Sequence, residues 1–553
     1  MKGFVIFSLI LSGLICVINC EDFRHFPTKD AGRAKRAALP LLLDMKRSSF
    51  WMNDAQQALK DKLKKSANEG KAKNVIFFLG DGMSIETITT GRLLKGQLEG
   101  KLGERSKLSF ENFPVVGLSK TYCIDKQVAD SACTATAYLG GIKANFWTIG
   151  VNGNATRDDC ASGRDPRNHV ESIASWAQKA NKSTGLVTTT TVTHASPAGV
   201  YAHVVNRDFE SDNMVKISGA DPSNCSDIAQ QLVHDDVGKK LNVILGGGTK
   251  RFLPNGTLDF YGNSGERLDK RNLLNEWRHS KKGVANTVFN VQQLVGLDYS
   301  KTDYLMGLFA PEHMEFKTDA DIVKQPSLEV MTESAIKILQ KNENGFFLFV
   351  EGGLIDKAHH LNLAHKALVE TIEFSKAVQK ALDMTNSEET LIVVTSDHSH
   401  TMSMSGYADI GTNILGLSTD LSDVDNLPYT TLSYANGPSY YKHFNWTGER
   451  LDLTSAKVLE KNFEYVSTFP SKIETHGGGD VAIFASGPWA HLFTGVVEQN
   501  ILPHMMAYAS CIGDGLTMCQ TTTKEKIKNS GAVFQTSIIL LVFCLLSIFF
   551  KNQ

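Results

Sequence analysis

The chain has 553 residues, of which 42% are hydrophobic and 21% charged, with 45 Gly and only 14 Pro. That is ample material for a large buried core, and it excludes a disordered or collagen-like chain. A formal net charge of −2 excludes the strongly basic field on which nucleic-acid binding depends.

In chain order, Lys2 is followed by an apolar run from Phe4 to Ile18 that ends near Cys20 and Glu21. A basic start, a short greasy stretch and a polar exit describe a secretory signal peptide over residues 1–20. An N-terminal membrane anchor is the alternative, but the run is short of the ~20 residues of a span. After residues 21–63 come six β-rich runs: Asn74–Gly82, Thr184–Val192, Asn242–Gly248, Phe346–Gly353, Leu391–His400 and Asp480–Gly487. Amphipathic stretches such as His169–Ala180 and Leu328–Lys341 lie between them. The alternation predicts an α/β fold, with a large central, mostly parallel sheet and helices on both faces. Residues 402–473, rich in Ser, Thr, Gly, Asn and Tyr, are read as an insertion over the top of the site. Their aromatic content argues against a disordered linker.

The C-terminal end reads as a second targeting signal. "IILLVFCLLSIFF", Ile538–Phe550, leaves three residues after it, and small residues, Asn529–Gly531, precede it. Small residues, a spacer and a terminal apolar tail describe a glycosylphosphatidylinositol signal. Asn529 is the expected anchor residue, with Ser530 next, residues 520–529 a stalk and 530–553 removed. A C-terminal membrane helix is the alternative. Cys16, Cys20 and Cys544 leave with these segments. Cys123, Cys133, Cys160, Cys225, Cys511 and Cys519 remain, an even set that reads as a disulfide inventory of open pairing in a secreted chain. Sequons at Asn154, Asn181, Asn224, Asn255 and Asn445 fit a glycosylated surface.

The chemistry collects at strand ends, where parallel sheets bind their ligands. Asp81 follows the first apolar run, Glu351 and Asp356 follow "FFLFV", and Asp397 and His398 follow "LIVVT". With His360 and His476 they come from four separated segments. One such group is usually a structural cap. A converging set is costly to bury uncompensated, and a bound cation is the first candidate to offset that. The Asp and His mixture suits Zn²⁺, and carboxylate with hydroxyl oxygens suits Mg²⁺. Asp356 and His360 stand at i and i+4, so one helical turn would aim both at one ion. In "VADSACTATAYLGG", Ser131 follows Asp130 where a helix would start. Beside a metal that serine is a candidate nucleophile, with a bound anion facing free backbone N–H groups. Taken alone, D-S-A is a simple N-cap.

"LGDGM", "DSACTATAYLGG", "THASPAGVYAHVVNR", "FLFVEGGLIDKAHH", "TSDHSH" and "ETHGGGDVAIFASGP" resemble the motifs of animal alkaline phosphatases, in that family's order, from about Asn74 to Cys519. The chain resembles the insect membrane-bound forms in particular. The resemblance implies hydrolysis of phosphate monoesters at alkaline pH through a phosphoserine on Ser131, with two Zn²⁺ and one Mg²⁺ per subunit. It puts Asp356, His360 and His476 on one zinc and Asp81, Asp397 and His398 on the other. Asp81, Ser196 and Glu351 fall on the magnesium, and Arg207 on two phosphate oxygens, for which its planar fork suits better than Lys. His194, Lys357 and His400 surround these ligands. It further implies a catalytic domain over residues 64–519 with a crown-like insertion at 402–473, and a homodimer in which residues 21–63 pack on the partner. For the cysteines it implies Cys160–Cys225 and Cys511–Cys519, which leaves Cys123 and Cys133 either bonded or free.

Departures from the vertebrate pattern are specific. Lys357 stands where many vertebrate forms have His, while His194 is retained. Ala310 and Gln325 replace the Glu and Asp expected near Phe309, which removes two anionic oxygens from a calcium site and makes that ion doubtful. A related phosphodiesterase or sulfatase is one alternative, disfavoured by Asp130-Ser131 together with Arg207. A non-catalytic surface glycoprotein is the other, disfavoured because no ligand or nucleophile is missing.

Overall fold

The computed structural model describes residues 39–64 and 66–519. The signal peptide, residues 21–38, the stalk with Asn529 and the 530–553 tail lie outside the described residues. Ten strands form one sheet: β1 (Asn74–Gly80), β2 (Val115–Lys120), β3 (Ser183–Thr191), β4 (Val243–Gly247), β5 (Ala285–Val288), β6 (Tyr304–Leu308), β7 (Phe346–Gly352), β8 (Thr390–Thr395), β9 (Val481–Ser486) and β10 (Gly495–Glu498). Their order is β10-β2-β9-β8-β1-β7-β3-β4-β6-β5. Only β9 runs against its neighbours; every other pair is parallel. The fold class expected from the sequence is the one observed.

The two sheet faces are both covered, and the alternation along a strand shows how. Val75, Phe77 and Leu79 of β1 join one core with Ala132, Ala135 and Tyr138. Ile76 and Phe78 join another with Met331, Ala335, Phe374 and Val378. A strand apolar on both sides must be packed on both, so β1, β7 and β8 are buried along their whole length. The helices that cover them include α1 (Ser131–Gly140), α2 (Leu328–Leu339) and α3 (Ala364–Met384).

Residues 402–473 fold as small sheets. Met402–Met404, Leu432–Gly437 and Ser467–Pro470 form one, and Leu417–Leu421 pairs with Pro428–Thr430. Met402, Leu432, Tyr434 and Tyr465 pack there on Leu93 and Leu368. The N-terminal helix Ser48–Leu63 has no buried residue. Arg105 holds it, lying over the Phe50 ring at 5.2 Å and pairing with Asp54 at 2.7 Å. Among the described residues, no helix is long and apolar enough to cross a membrane.

Candidate active site

The four central strands β8-β1-β7-β3 are neighbours and run the same way, so their carboxyl ends open on one spot. Register does the rest. Leu79 of β1 lies beside Thr395 of β8 and Glu351 of β7, and Thr188 of β3 lies beside Glu351. Asp81 and Asp397 each follow two residues later and emerge side by side. Ser196 sits in the short turn of helix after β3. Asp81, Ser196, Glu351 and Asp397 are all fully buried.

Asp356 and His360 lie one turn apart on α4 (Leu354–His360). His476 reaches them by pairing antiparallel with His400, across from the loop after β8. Asp356 Oδ1 is 3.3 Å from His360 Nε2 and 3.3 Å from His476 Nε2, and the two nitrogens are 3.3 Å apart. A tetrahedral ion with bonds of about 2.0 Å separates its donors by about 3.3 Å, so this triangle has the dimensions of a zinc face. His359, the other imidazole of this stretch, turns away, bonding Thr87 at 3.0 Å and Tyr434 at 2.9 Å.

Two further groups adjoin. Asp81, Asp397 and His398 offer donors within 4.8 Å of one another, and so do Asp81, His194 and Glu351. His398 Nε2 lies 3.1 Å from Asp397 and 3.7 Å from Asp81. Both oxygens of Asp81, one each of Glu351 and Asp397, the Ser196 hydroxyl and His194 Nδ1 are buried without a hydrogen-bond partner. Orphaned polar atoms of this kind are rare in folded proteins and call for an explanation. The electrostatics give one. Burial, then the charges of Asp397, Asp356 and Glu351, push the Asp81 carboxyl well above its ordinary range. Burial pushes Glu351 up to about 7 and raises Asp397. The protein alone opposes three adjacent carboxylates, and a divalent cation reverses that balance. The donor set therefore fits metal ions.

Ser131 opens α1, fully buried, with Oγ 3.2 Å from His398 Nε2. Asp130 is the N-cap, and its carboxylate accepts the Ala132 and Cys133 N–H groups. The Ala132 and Cys133 amides are thereby occupied by Asp130. Its cationic partner is Arg207, held 3.0 Å from Asp130 Oδ2 and 3.0 Å from His194 Nε2. Lys357 Nζ stands 3.5 Å from Asp356 Oδ2. His400 is pushed up to about 10, because Glu474 and Asp356 outweigh the burial that opposes its charge. It donates to both acids, at 2.7 Å to Asp356.

The sequence reading missed several parts of this site. Glu474 holds His400 and the Thr401 N–H through its carboxylate, and His360 Nδ1 at 2.6 Å through its carbonyl. Its signal was the "ETH" triplet, two residues before His476. Thr188 and Thr190 hold the second oxygen of Glu351, and the Ala129 carbonyl accepts His476 Nδ1 at 2.8 Å.

Away from the site, disulfides join Cys123–Cys133, Cys160–Cys225 and Cys511–Cys519, so Cys123 and Cys133 are not free thiols. Asn154, Asn181, Asn224 and Asn255 are exposed, and Asn445 is half-buried. Near Phe309, the Ala310 carbonyl accepts from Gly248 and Thr249, and Gln325 accepts the Glu315 N–H at 2.8 Å.

Residues 72–512 match the family model for alkaline phosphatase. The membrane-bound alkaline phosphatase of Bombyx mori is 44% identical over 511 residues, 91% of this chain and 92% of that protein. The tissue-nonspecific isozyme of alkaline phosphatase from Homo sapiens is 45% identical over 478 residues, 85% of this chain and 90% of that one. Among solved structures, alkaline phosphatase from the Antarctic bacterium TAB5 superposes with a TM-score of 0.54 at 23% identity, over 80% of this chain and 99% of that one. The Thermus thermophilus enzyme gives 0.56 at 20%, over 80% and 92%. Those two share the fold; the curated relatives carry the closer kinship. The chain belongs to the alkaline phosphatase family.

Proposed function

We propose that the protein hydrolyses phosphate monoesters at alkaline pH through a phosphoserine on Ser131, with two Zn²⁺ and one Mg²⁺ per subunit. Asp356, His360 and His476 would hold one zinc, Asp81, Asp397 and His398 the other, and Asp81, Ser196 and Glu351 the magnesium. When bound, such ions supply Lewis acidity toward the serine hydroxyl, the leaving oxygen and the water that follows. Arg207, already oriented by Asp130 and His194, takes two non-bridging oxygens. Ser131 Oγ then forms its bond to phosphorus as the ester P–O bond breaks, and water cleaves the phosphoserine. The observation that carries this reading is the set of buried carboxylate oxygens with no partner, converging with imidazoles beside Ser131 and Arg207. The grip falls on phosphate, so specificity for the leaving group is broad.

The test is metal analysis paired with p-nitrophenyl phosphate turnover, on wild type and Ser131→Ala. Turnover should fall more than about a thousandfold with zinc content unchanged. Comparable turnover of mono- and diesters, or of the variant and wild type, would defeat the reading. A rate maximum near pH ~5, where bound water stays protonated, would contradict the alkaline optimum.

The same reading extends to location and assembly. A glycosylphosphatidylinositol anchor at Asn529 would hold the protein on the extracellular face of the membrane, with glycans on the exposed sequons. The helix Ser48–Leu63 is a candidate dimer arm: Trp51, Met52, Leu59 and Leu63 on it are all exposed, and such a face is normally covered. A calcium ion near Phe309 would be weak or absent.

A further inference from the structure

The Cys123–Cys133 bond closes a strap whose ends stand at a sequence separation of 10 and which runs along the site. Cys133 is on the first turn of α1, two residues after Ser131, and both sulfurs belong to residues buried to 98%. At its base, the Cys123 N–H donates to Lys126 and the Ile124 N–H to Ala144. Farther along, Val128 lies over Gly478, where an added Cβ would come within 3.2 Å of it. The last residues of the strap serve three different parts of the site. The Ala129 carbonyl orients His476 through Nδ1, leaving Nε2 facing Asp356 and His360. Asp130 holds Arg207 with one oxygen, and with the other accepts the Trp147 N–H at 3.0 Å. Ser131 follows directly.

We propose that Cys123–Cys133 is a positioning bond. It fixes the Ala129 carbonyl and the Asp130 carboxylate relative to the first turn of α1, and so keeps His476 and Arg207 in register with the nucleophile. The neighbouring hydrogen bonds set where the strap goes, and the covalent link stops it lifting at the end that carries them. A ligand's outer partner governs both ring orientation and metal affinity, and small misplacements of a reacting group are expensive in rate. The proposal rests on the metal-dependent reading above.

The test compares Cys123→Ala/Cys133→Ala with Cys511→Ala/Cys519→Ala, which removes a disulfide that touches none of these groups. Both are loaded with zinc, challenged with a chelator well below their melting temperatures, and assayed for kcat and KM on p-nitrophenyl phosphate. The strap variant should release zinc about tenfold faster and lose about tenfold in kcat/KM; the control should match wild type in both. Unchanged zinc release and kinetics, with only a lower melting temperature, would overturn the proposal. If the strap variant does not fold, Val128→Gly loosens the seat over Gly478 with the bond intact. It should move zinc release in the same direction by about twofold, and no change there overturns the proposal. A wild type that holds no zinc would bring down the underlying reading as well; zinc held equally by wild type and strap variant defeats the strap alone.

Discussion

Glu210 and Asp81 are both buried carboxylates, and their surroundings treat them in opposite ways. Burial would raise Glu210, but Arg251, His313 and the Thr191 and Thr193 hydroxyls outweigh it and hold it below its usual range. At Asp81, burial and the like charges of Asp397, Asp356 and Glu351 outweigh the Lys357 cation, and it is pushed far up. The contrast extends to their neighbourhoods. Arg251 also takes Glu266 at 2.6 Å and Glu312 at 2.7 Å. The fully buried Arg267 takes Asp227 at 2.9 Å and Asp269 at 2.6 Å. Around Asp81, one oxygen each of Glu351 and Asp397 is left unmatched. Acids answered by fixed guanidinium groups are architecture, whereas acids left unanswered at strand ends are a seat for cations from solution.

The largest test of that contrast is Asp81→Asn, which removes a donor shared by two of the groups. Activity of the metal-supplied protein should fall about ten-thousandfold, roughly 5 kcal/mol of transition-state stabilisation. The chelated variant should melt no lower than chelated wild type, because it has lost a repelled charge. A fall within tenfold, or a chelated variant that unfolds early, would make Asp81 a structural acid like Glu210. The converse change is Arg267→Met. Stranding Asp227 and Asp269 without their cation should cost about 3–5 kcal/mol of stability. The kcat of the molecules that remain folded should stay within about twofold of wild type, since the guanidinium lies outside the site. Urea unfolding with active-site titration separates the two quantities.

Much of this was legible in the sequence, for reasons specific to particular residues. "NVIFFLG" and "FFLFV" read as buried strands because β1 and β7 are covered on both faces and so are apolar without alternation. The strands β2, β5, β6 and β10 were not legible. All lie at or near the sheet edges; β2, β5 and β10 are only partly buried and carry a weak apolar signal, whereas β6 is a short run that is largely buried. At the site, acids and imidazoles at strand ends gave away most of the candidate ligands. Glu474 stayed hidden because its partners His400 and His360 are 74 and 114 residues away. The Ala129 carbonyl belongs to the backbone, which no side-chain motif records. The Arg251 and Arg267 clusters were likewise invisible, since nothing in the separate segments marks which acids a buried guanidinium will collect.

A third buried acid sharpens the comparison, because it is answered neither by a guanidinium nor by an orphaned site. Glu370 on α3 accepts the Lys317 N–H at 2.5 Å, and burial, reinforced by Glu373 and Asp319, pushes it up to about 8. It solves its burial by keeping a proton. Its folded value lies above the ordinary ~4.3 of a free glutamate, so the folded state binds more protons between those two values. Stability is then fully present below about pH 4 and is lost progressively as pH rises through about 8. Glu370→Gln keeps the acceptor oxygen and abolishes the titration. The variant should lie within about 1 kcal/mol of wild type at pH 5 and be more stable at pH 9, by on the order of 5 kcal/mol, read from denaturant midpoints at the two pH values. Parallel pH profiles for the two proteins would mean that Glu370 is ionised in the folded state and that Lys317 answers it, as Arg251 answers Glu210.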